Sequence, residues 1–337
     1  MITKVFTQQN MARLAVVAGA AVIVLGAGAI KSNASVKQTA NGDGSITISW
    51  DDVTSTDYSI GFADDIEGKY DTATRAKSMA DSRQIVLPAD AREYTITGVD
   101  PYKTYDIAVN YTYGDTNMAR TATINDCYAA LPAVRNLTQA KWWKYILSVD
   151  VSWDKIPGRV EYEVMFMDAK GKKIESKKVS GNSYSHAIKN EKIYTVKVRP
   201  IRKASTYNPT MPEETGAWSA AEYLFVQPTI SSYSIDKKTG AMTISWKKVK
   251  GVSSYKVYVA TKKKNDAKSY KKVGAVKANK NSVTIKGLGK KGKTKFDSKK
   301  TYYAYVLPYK KVKGKTIEKG AVYYSTLSGG RVNEGWI

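Results

Sequence analysis

The most restrictive feature of this sequence is a short strand-like segment that occurs three times and always ends in tryptophan. The segments are SITISW at 45–50, SVDVSW at 148–153 and AMTISW at 241–246. In each one, apolar residues alternate with polar residues up to the tryptophan, which is the period of a β-strand with one buried face. A chain that repeats one strand pattern roughly every hundred residues is predicted to contain several copies of one β-rich unit.

Other positions recur with the tryptophan. A tyrosine lies eight or nine residues after each of the three, and it begins a second alternating strand: Tyr58, Tyr162 and Tyr255. A later tyrosine, with a lysine two residues before it and a valine four residues after it, also recurs: Tyr105, Tyr194 and Tyr302. This tyrosine follows the tryptophan by 55, 41 and 56 residues, so the copies agree in their cores and differ in a middle loop.

The repeats divide the chain into domains. Boundaries are predicted where a proline follows a strand, in ALPAV at 130–134 and FVQPTI at 225–230. The expected domains are 35–131, 132–227 and 228–328, with a C-terminal tail at 329–337. Units of this size with many short strands indicate all-β sandwiches, with one or two helical turns expected only at 73–84.

These motifs resemble the fibronectin type III family. The tryptophan resembles that family's core tryptophan, and VDPYKTYDIAV at 99–109, IKNEKIYTVKV at 188–198 and FDSKKTYYAYV at 296–306 resemble its tyrosine-corner segment. GAWSAAEYLF at 216–225 resembles its last strand. The resemblance implies three tandem fibronectin type III-like, that is immunoglobulin-like, sandwiches, the third similar to Lys- and Tyr-rich modules of secreted proteins of Gram-positive anaerobes. It assigns structural core positions to Trp50, Trp153, Trp246, Tyr105, Tyr194 and Tyr302.

Residues 1–34 are predicted to be a secretory signal peptide. Lys4 and Arg13 precede an uncharged run from Leu14 to Ile30, and small residues follow it. We therefore expect a secreted or cell-surface protein, with an uncleaved membrane anchor as the alternative. Exported proteins often contain disulfides, but this chain has one cysteine. Cys127 is interpreted as a small buried hydrophobe, with an intermolecular disulfide as the alternative.

Net charge distinguishes the three copies. Residues 35–131 carry 8 Lys and Arg against 15 Asp and Glu, giving −7. Residues 132–227 carry 16 against 10, giving +6, and residues 228–337 carry 27 against 5, giving +22. The third copy is therefore expected to attract polyanions in a salt-sensitive way.

The lysines of the third domain gather in segments expected between strands, at 261–272, 286–300 and 309–319. All but one of its 27 positive residues are lysine rather than arginine, which favours diffuse attraction over nucleic-acid base recognition. A solvated surface with no ligand is the alternative. The candidate polyanion-binding residues are Lys262, Lys263, Lys264, Lys271, Lys272, Lys290, Lys291, Lys293, Lys310, Lys311, Lys313 and Lys315.

Few residues point to catalysis. The single histidine, His186, lies on a predicted strand without a second histidine or a nearby cysteine, so no triad or zinc set is assembled locally. The acidic cluster at 62–71, which includes Asp64, lacks the EF-hand spacing and is interpreted as a solvated loop. We expect no enzyme activity, no cofactor and no metal.

Two main hypotheses for function remain. The first is an exported, non-catalytic binding or adhesion protein whose basic third domain associates with an anionic cell-wall polymer or extracellular glycan. The second is a structural spacer that binds another extracellular protein through sandwich edges or loops. A weaker third possibility is an accessory module of a polysaccharide-degrading system. Specific nucleic-acid binding is not expected, and membrane association is expected only if residues 1–34 remain attached.

Overall fold

The computed structural model describes residues 35–336 except 52, 54, 65–71, 114–117, 159, 189–191, 205–212, 265, 290 and 291. The predicted signal peptide lies outside these residues. By packing, the chain forms two compact units. The first contains the described residues up to Pro132 with Ile156–Val160 and Pro200–Ala217, and the second contains Ala133–Lys155, Glu161–Arg199 and the residues from Trp218 onward. In the described residues, no helix is both long enough and apolar enough to cross a membrane.

The described residues of module 1 form seven strands and one helix. Its strands form two antiparallel sheets, β1-β2-β5 and β4-β3-β6-β7. A single core of buried residues from both sheets lies between them, including Ile48, Ile60 and Ile107. The elements are β1 Val36–Ala40, β2 Ile46–Trp50, β3 Asp57–Asp64, α1 Thr72–Asp81, β4 Ile85–Pro88, β5 Glu93–Ile96, β6 Tyr105–Tyr113 and β7 Met118–Cys127.

Helix α1 is longer than the one or two turns expected at 73–84. It buries Ala76 and Ala80 and lies so close to β3 that a Cβ on Gly61 would be 2.0 Å from the Ala76 carbonyl oxygen. The helix therefore requires a residue without a side chain at this position of the strand.

Module 2 repeats the same arrangement. Its sheets have the orders β12-β9-β8 and β11-β10-β13-β14, and β15 also pairs with β13. The strands are β8 Thr138–Trp143, β9 Ser148–Ser152, β10 Val160–Asp168, β11 Lys173–Val179, β12 Ser183–Ala187, β13 Tyr194–Arg202, β14 Glu214–Thr215 and β15 Glu222–Leu224.

Module 3 has the sheets β16-β17-β20 and β19-β18-β21-β23-β24, with β22 paired to β21. A 3-10 helix at Ala267–Ser269 precedes β19. The strands are β16 Ile230–Ile235, β17 Met242–Trp246, β18 Ser254–Ala260, β19 Lys271–Lys277, β20 Ser282–Ile285, β21 Tyr302–Val312, β22 Lys315–Glu318, β23 Tyr323–Ser328 and β24 Arg331–Trp336. A three-stranded sheet facing a larger one, in this strand order, is a fibronectin type III-like sandwich, so the predicted fold class is confirmed.

Two segments of module 3 differ from the sequence analysis. The expected C-terminal tail contains β24, which pairs with β23 along its whole length. Gly329 and Gly330 both have positive φ, which is the backbone of a two-residue hairpin turn. The prediction that 309–319 lies between strands is wrong. In the structure β21 continues into a hairpin with β22, and the turn of this hairpin is at Lys313 and Gly314.

The repeated tryptophans are core residues. Trp50, Trp153 and Trp246 are at most 5% exposed. Each indole contacts the tyrosine that begins the next strand, with ring centroids 5.1 Å apart for Trp50–Tyr58, 5.2 Å for Trp153–Tyr162 and 5.3 Å for Trp246–Tyr255. In the described part of the chain the three indole nitrogens have no hydrogen-bond acceptor, so these side chains stabilise the modules by apolar burial.

In modules 1 and 3, the hydroxyl of the corner tyrosine accepts a hydrogen bond from the turn that precedes the sixth strand of the module. The backbone N–H of Asp100 donates to Tyr105 Oη at 2.7 Å, and the N–H of Asp297 donates to Tyr302 Oη at 2.9 Å. Tyr194 is 3% exposed at the corresponding position of module 2. These contacts fix the approach of each corner to its sheet.

A glutamine clamp also occurs in all three modules, and the sequence analysis missed it. In each module a glutamine amide donates to a backbone carbonyl near the last strands and accepts a backbone N–H there. The pairs are Gln38 with Tyr128, Gln139 with Phe225, and Gln227 with Tyr323. The glutamine amide takes the place of the backbone groups of a neighbouring strand, so the backbone N–H and C=O of its partner residue both have a hydrogen bond.

Modules 2 and 3 are tied together within the second compact unit. The Lys144 N–H donates to Tyr323 Oη at 2.9 Å, and Tyr323 Oη donates to the Trp142 carbonyl at 3.3 Å. Ion pairs join Lys144 to Glu334 and Lys319 to Glu222. Both lysine–glutamate pairs are largely shielded from water, which limits solvent screening.

Replacing Trp246 with alanine should destabilise module 3 by about 3–5 kcal/mol, because it removes a large buried side chain and leaves a cavity. Urea unfolding followed by circular dichroism measures the loss. Trp336→Ala is the comparison, and a smaller loss is expected because Trp336 is 47% exposed. Equal losses for the two variants would contradict the assigned role of Trp246.

Replacing Gln38 with alanine should cost about 1–3 kcal/mol, because the buried N–H and C=O of Tyr128 lose their partner. Gln84→Ala is the matched control, since Gln84 is exposed and should change the free energy of unfolding by less than about 0.5 kcal/mol. A Gln38 variant as stable as the control would show that the clamp contributes nothing.

Candidate functional site

The site with the most distinctive chemistry is an open cleft in module 3, called here the basic cleft. It has a volume of about 470 Å³. Among the described residues, four lysines, three threonines, two tyrosines and one leucine line it, and none of these carries a carboxylate. They are Thr261, Lys262, Lys263, Leu288, Thr294, Lys295, Lys300, Thr301, Tyr302 and Tyr303.

Strand pairing brings the two walls of the basic cleft together. Ala260, the last residue of β18, pairs with Tyr303 near the start of β21. Lys262 and Lys263 therefore leave the sheet next to the corner that carries Lys295 and Lys300. This is one end of the sandwich, where loops from successive strands converge.

The corner wall is fixed by its own contacts. Phe296 is buried, donates its N–H to the Gly240 carbonyl at 3.0 Å, and packs its ring 5.1 Å from that of Tyr302. Lys295 precedes this anchored phenylalanine, and Lys300 lies two residues before the anchored tyrosine. Their backbone positions are therefore set by the core of the module.

The opposite wall is held against the outer face of the larger sheet. Tyr305 donates its hydroxyl to the Ala267 carbonyl at 3.0 Å and packs between Tyr258 and Tyr270, at centroid distances of 4.7 and 5.1 Å. Burial raises the pKa of Tyr305, so the hydroxyl stays protonated and remains a donor. Lys263 Nζ lies 5.8 Å from the ring centroid of Tyr324.

The charges of the basic cleft are not neutralised internally. In the part of the chain that the structure describes, Lys262, Lys263, Lys295 and Lys300 make no ion pair, and Lys295 Nζ donates only to the Lys286 carbonyl, at 3.3 Å. Four ammonium groups around one depression create a positive potential that an anionic ligand would relieve. The threonine hydroxyls can supply additional hydrogen bonds to phosphate or carboxylate oxygens.

The structure divides the predicted lysines into two groups. Lys262, Lys263, Lys264, Lys271, Lys272 and Lys293 are exposed near the basic cleft end of module 3. Lys290 and Lys291 lie outside the described residues. Lys310, Lys311, Lys313 and Lys315 lie on the β21–β22 hairpin, and Lys310 follows Tyr303 by seven residues, which is about 23 Å along the strand.

The ammonium group of Lys310 already makes contacts within the protein. Its Nζ donates to the Gly251 carbonyl at 3.1 Å and lies 5.8 Å from the ring of Tyr223. Lys295 and Lys300, in contrast, line the basic cleft but were not among the candidate residues. These two lysines could have been identified from the sequence, because they lie beside the repeated corner residues Phe296 and Tyr302.

Asp64, from the acidic cluster, takes part in a local salt bridge. It pairs with Lys103 and with Arg75, the latter at 3.3 Å. Lys103 is the main reason that the pKa of Asp64 is lowered, and Arg75 adds to the effect. The cluster's Asp65, Glu67 and Asp71 lie outside the described residues. Within the residues described, no group of three or more histidine, cysteine or acidic side chains is placed to hold a metal.

His186 and Cys127 are buried. The imidazole of His186 stacks on Phe166 at 3.8 Å between centroids, and its Nδ1 lies 3.9 Å from Glu175. Burial lowers the pKa of His186, and Glu175 opposes this effect. Cys127 is 0% exposed, and burial raises the pKa of its thiol, which keeps the sulfur in its unreactive thiol form.

Among known proteins, similarity is found only with solved structures. No family model matches, and no curated protein matches. Among solved structures, the chain is similar to the FN1–FN3 domains of chicken CNTN1, with TM-score 0.32, 14% identity, and 85% of this chain and 97% of that chain covered. It is also similar to a segment of two fibronectin type III domains from chicken tenascin, with TM-score 0.31, 13% identity, and 57% and 98% covered. A third is a cytokine receptor complex, with TM-score 0.30, 12% identity, and 57% and 96% covered.

The environment of His186 predicts a pH effect. Its pKa in the folded protein lies below the ordinary value of 6.5, so the unfolded chain takes up a proton at higher pH than the folded chain. The stability associated with the neutral imidazole is present above about pH 6.5 and is lost as the pH falls toward the folded pKa. Because the chain has one histidine, NMR titration of its single imidazole signal measures this directly, with the urea-unfolded protein as the reference. A folded midpoint at or above the unfolded one would contradict the prediction.

Proposed function

We propose that this protein is an exported, non-catalytic, multi-domain binding protein whose third module associates with an anionic cell-envelope polymer or extracellular glycan. The observation that supports it best is the basic cleft, where, within the described residues, four lysines that make no ion pair surround a depression and no carboxylate lines it. The net charge of +22 on residues 228–337 extends the same potential over the module.

The form of the basic cleft favours a polymer over a small ligand. It is open and lined mainly by lysine and threonine residues, whereas small-molecule sites usually enclose most of the ligand. Lysine ammonium groups attract phosphate or carboxylate without requiring a planar partner. A repeating polyanion would therefore place neighbouring charges against the four lysines of the basic cleft and against exposed lysines such as Lys264 and Lys293.

A spacer that binds another extracellular protein is a second candidate. The joint between modules 2 and 3 favours it, because Tyr323, the Lys144–Glu334 pair and the Lys319–Glu222 pair hold these two modules together. A stiff joint is useful to a protein that must hold two binding surfaces in a fixed arrangement. This role and polyanion binding by the basic cleft are compatible.

The proposal predicts that four lysine-to-glutamine changes in the basic cleft will weaken polyanion binding. With Lys262, Lys263, Lys295 and Lys300 replaced, the slope of log K against log salt should fall by about 3, since each contact to a single-stranded polyanion contributes about 0.7. Binding to purified poly(glycerol phosphate) and to polygalacturonate at increasing NaCl measures this and separates phosphate from carboxylate polymers.

The matched control removes the same charge at the other end of module 3. It carries glutamine at Lys277, Lys280, Lys311 and Lys315, all of which are exposed, and it should retain most of the wild-type slope. Equal losses in both variants would show diffuse attraction without a site. Absence of binding by the wild type would reject the polyanion proposal.

A further inference from the structure

A second surface of the protein has the opposite chemistry. Tyr145, Ile146 and Leu147 are consecutive, lie in the turn between β8 and β9, and are 62%, 69% and 43% exposed. Trp336, in β24, is 47% exposed, and its ring lies 6.0 Å from that of Tyr145. These four residues are called the apolar tip. Of the seven large hydrophobic side chains exposed in the described residues, four are in the apolar tip and the other three are Val86, Met118 and Ile174.

The base of the apolar tip is firmly attached. Trp336 packs against Tyr323 at 4.5 Å and against Trp143 at 6.2 Å. The Ile188 N–H donates to the Leu147 carbonyl at 2.7 Å, and the Leu147 N–H donates to the Lys144 carbonyl at 3.3 Å. These contacts fix the backbone of the turn at both ends, and the side chains of Ile146 and Leu147 remain exposed on it.

Leucine is an unfavourable choice for this turn. Leu147 has φ of 48°, a left-handed conformation that a bulky side chain adopts at a cost and that asparagine or glycine adopts easily. Neither backbone conformation nor solubility requires leucine here. An outlier of this kind at an exposed position points to a function outside the fold.

The shape and composition of the apolar tip favour a lipid surface. It projects from a turn, so it offers no pocket to a small ligand, whereas a projecting group can enter the soft boundary of a bilayer. Tyrosine and tryptophan prefer that boundary, and isoleucine and leucine prefer the acyl region below it. Lys141 is exposed beside the apolar tip, its Nζ 3.6 Å from the ring centroid of Trp143.

Charge complementarity supports the same occupant. The apolar tip is built from residues of the copies with net charges of +6 and +22, and basic protein surfaces near a membrane are attracted to anionic lipid headgroups. We infer that the apolar tip inserts into the interfacial layer of an anionic lipid bilayer and docks the protein there. This contact goes beyond the proposed polyanion binding and is independent of residues 1–34.

A fluorescent label at the tip tests this inference in the full chain. Ile146→Cys carries an environment-sensitive fluorophore, and Cys127 stays unlabelled because it is buried. On vesicles of 70% phosphatidylcholine and 30% phosphatidylglycerol, we expect a blue shift of its emission and quenching by acyl-chain spin labels. The matched control is Ile174→Cys, 46% exposed on the edge strand β11, which should show neither change.

A second variant measures affinity without loss of folding. Ile146→Ser combined with Leu147→Asn removes two apolar groups and places asparagine where φ is positive, so thermal stability should be unchanged or higher. Vesicle affinity should fall at least about tenfold, since each buried aliphatic side chain contributes substantially to transfer from water. The glutamine variant of the basic cleft should still show the blue shift at residue 146, which separates failure of this inference from failure of the proposed function.

Three outcomes would overturn the inference. A label at residue 146 that stays in water on vesicles, or shifts no more than one at residue 174, rules out insertion. A shift that depends on protein concentration without vesicles would assign the apolar tip to a second copy of the chain. Protection of the label by a soluble protein, with none by vesicles, would assign it to a protein partner.

Discussion

Each module depends on one contact, the packing of a tryptophan indole at the end of the second strand against the tyrosine ring that begins the third. This contact joins the two sheets. The tryptophans lie at the end of a strand of the smaller sheet, and their tyrosine partners lie on a strand of the larger sheet: Trp50 with Tyr58, Trp153 with Tyr162, and Trp246 with Tyr255. The same tyrosines also bind the loop between the two strands: Tyr58 Oη donates to the Val53 carbonyl, and Tyr255 Oη donates to that of Val249. One pair of rings therefore sets the sheet spacing and the path of the connecting loop.

The positions predicted from the sequence are those whose burial produces a periodic pattern. Alternation identified strands such as β2, β9 and β17, and the lysine two residues before each corner tyrosine with the valine four residues after it identified the corner. The glutamine clamps have no such signal. The distance from the glutamine to the tryptophan is not constant: it is 12 residues for Gln38, 14 for Gln139 and 19 for Gln227. In addition, glutamine is usually an exposed residue, so its type does not indicate burial. Its role depends on which backbone groups lie within reach, and only the folded chain shows this. The C-terminal strand was missed although the Gly-Gly turn at 329–330 signals a hairpin.

For the candidate site, the sequence predicted which module is basic but not which lysines meet. Charge counts treat 286–300 and 309–319 alike, yet β21 runs 11 residues and separates their ends. The lysines that line the basic cleft are set by pairing register, since Ala260 opposite Tyr303 brings Lys262 near Lys300. Register follows from long-range pairing, which residue counts do not contain. Lys310 shows the reverse case, in which a residue chosen for its charge donates a hydrogen bond to the Gly251 carbonyl of its own module.

Both surfaces to which we assign a role occur where the repeats diverge. The basic cleft is formed by the loop after β18 and the corner before β21, while the apolar tip is formed by the turn after β8 and by β24, a strand that modules 1 and 2 do not show in their described residues. The contacts of Glu334 with Lys144 and of Trp336 with Trp143 place that added strand beside module 2. A repeated core fixes only buried positions, so each copy is free to change its loops and edges without loss of stability. In this chain the result is a cluster of positive charge at one end of module 3 and an exposed apolar turn at its joint with module 2.

Electrostatic attraction acts over about a Debye length, whereas burial of apolar surface acts only on contact. Attraction by the basic cleft should therefore depend on ionic strength, whereas contact through the apolar tip should depend on the apolar area that it buries.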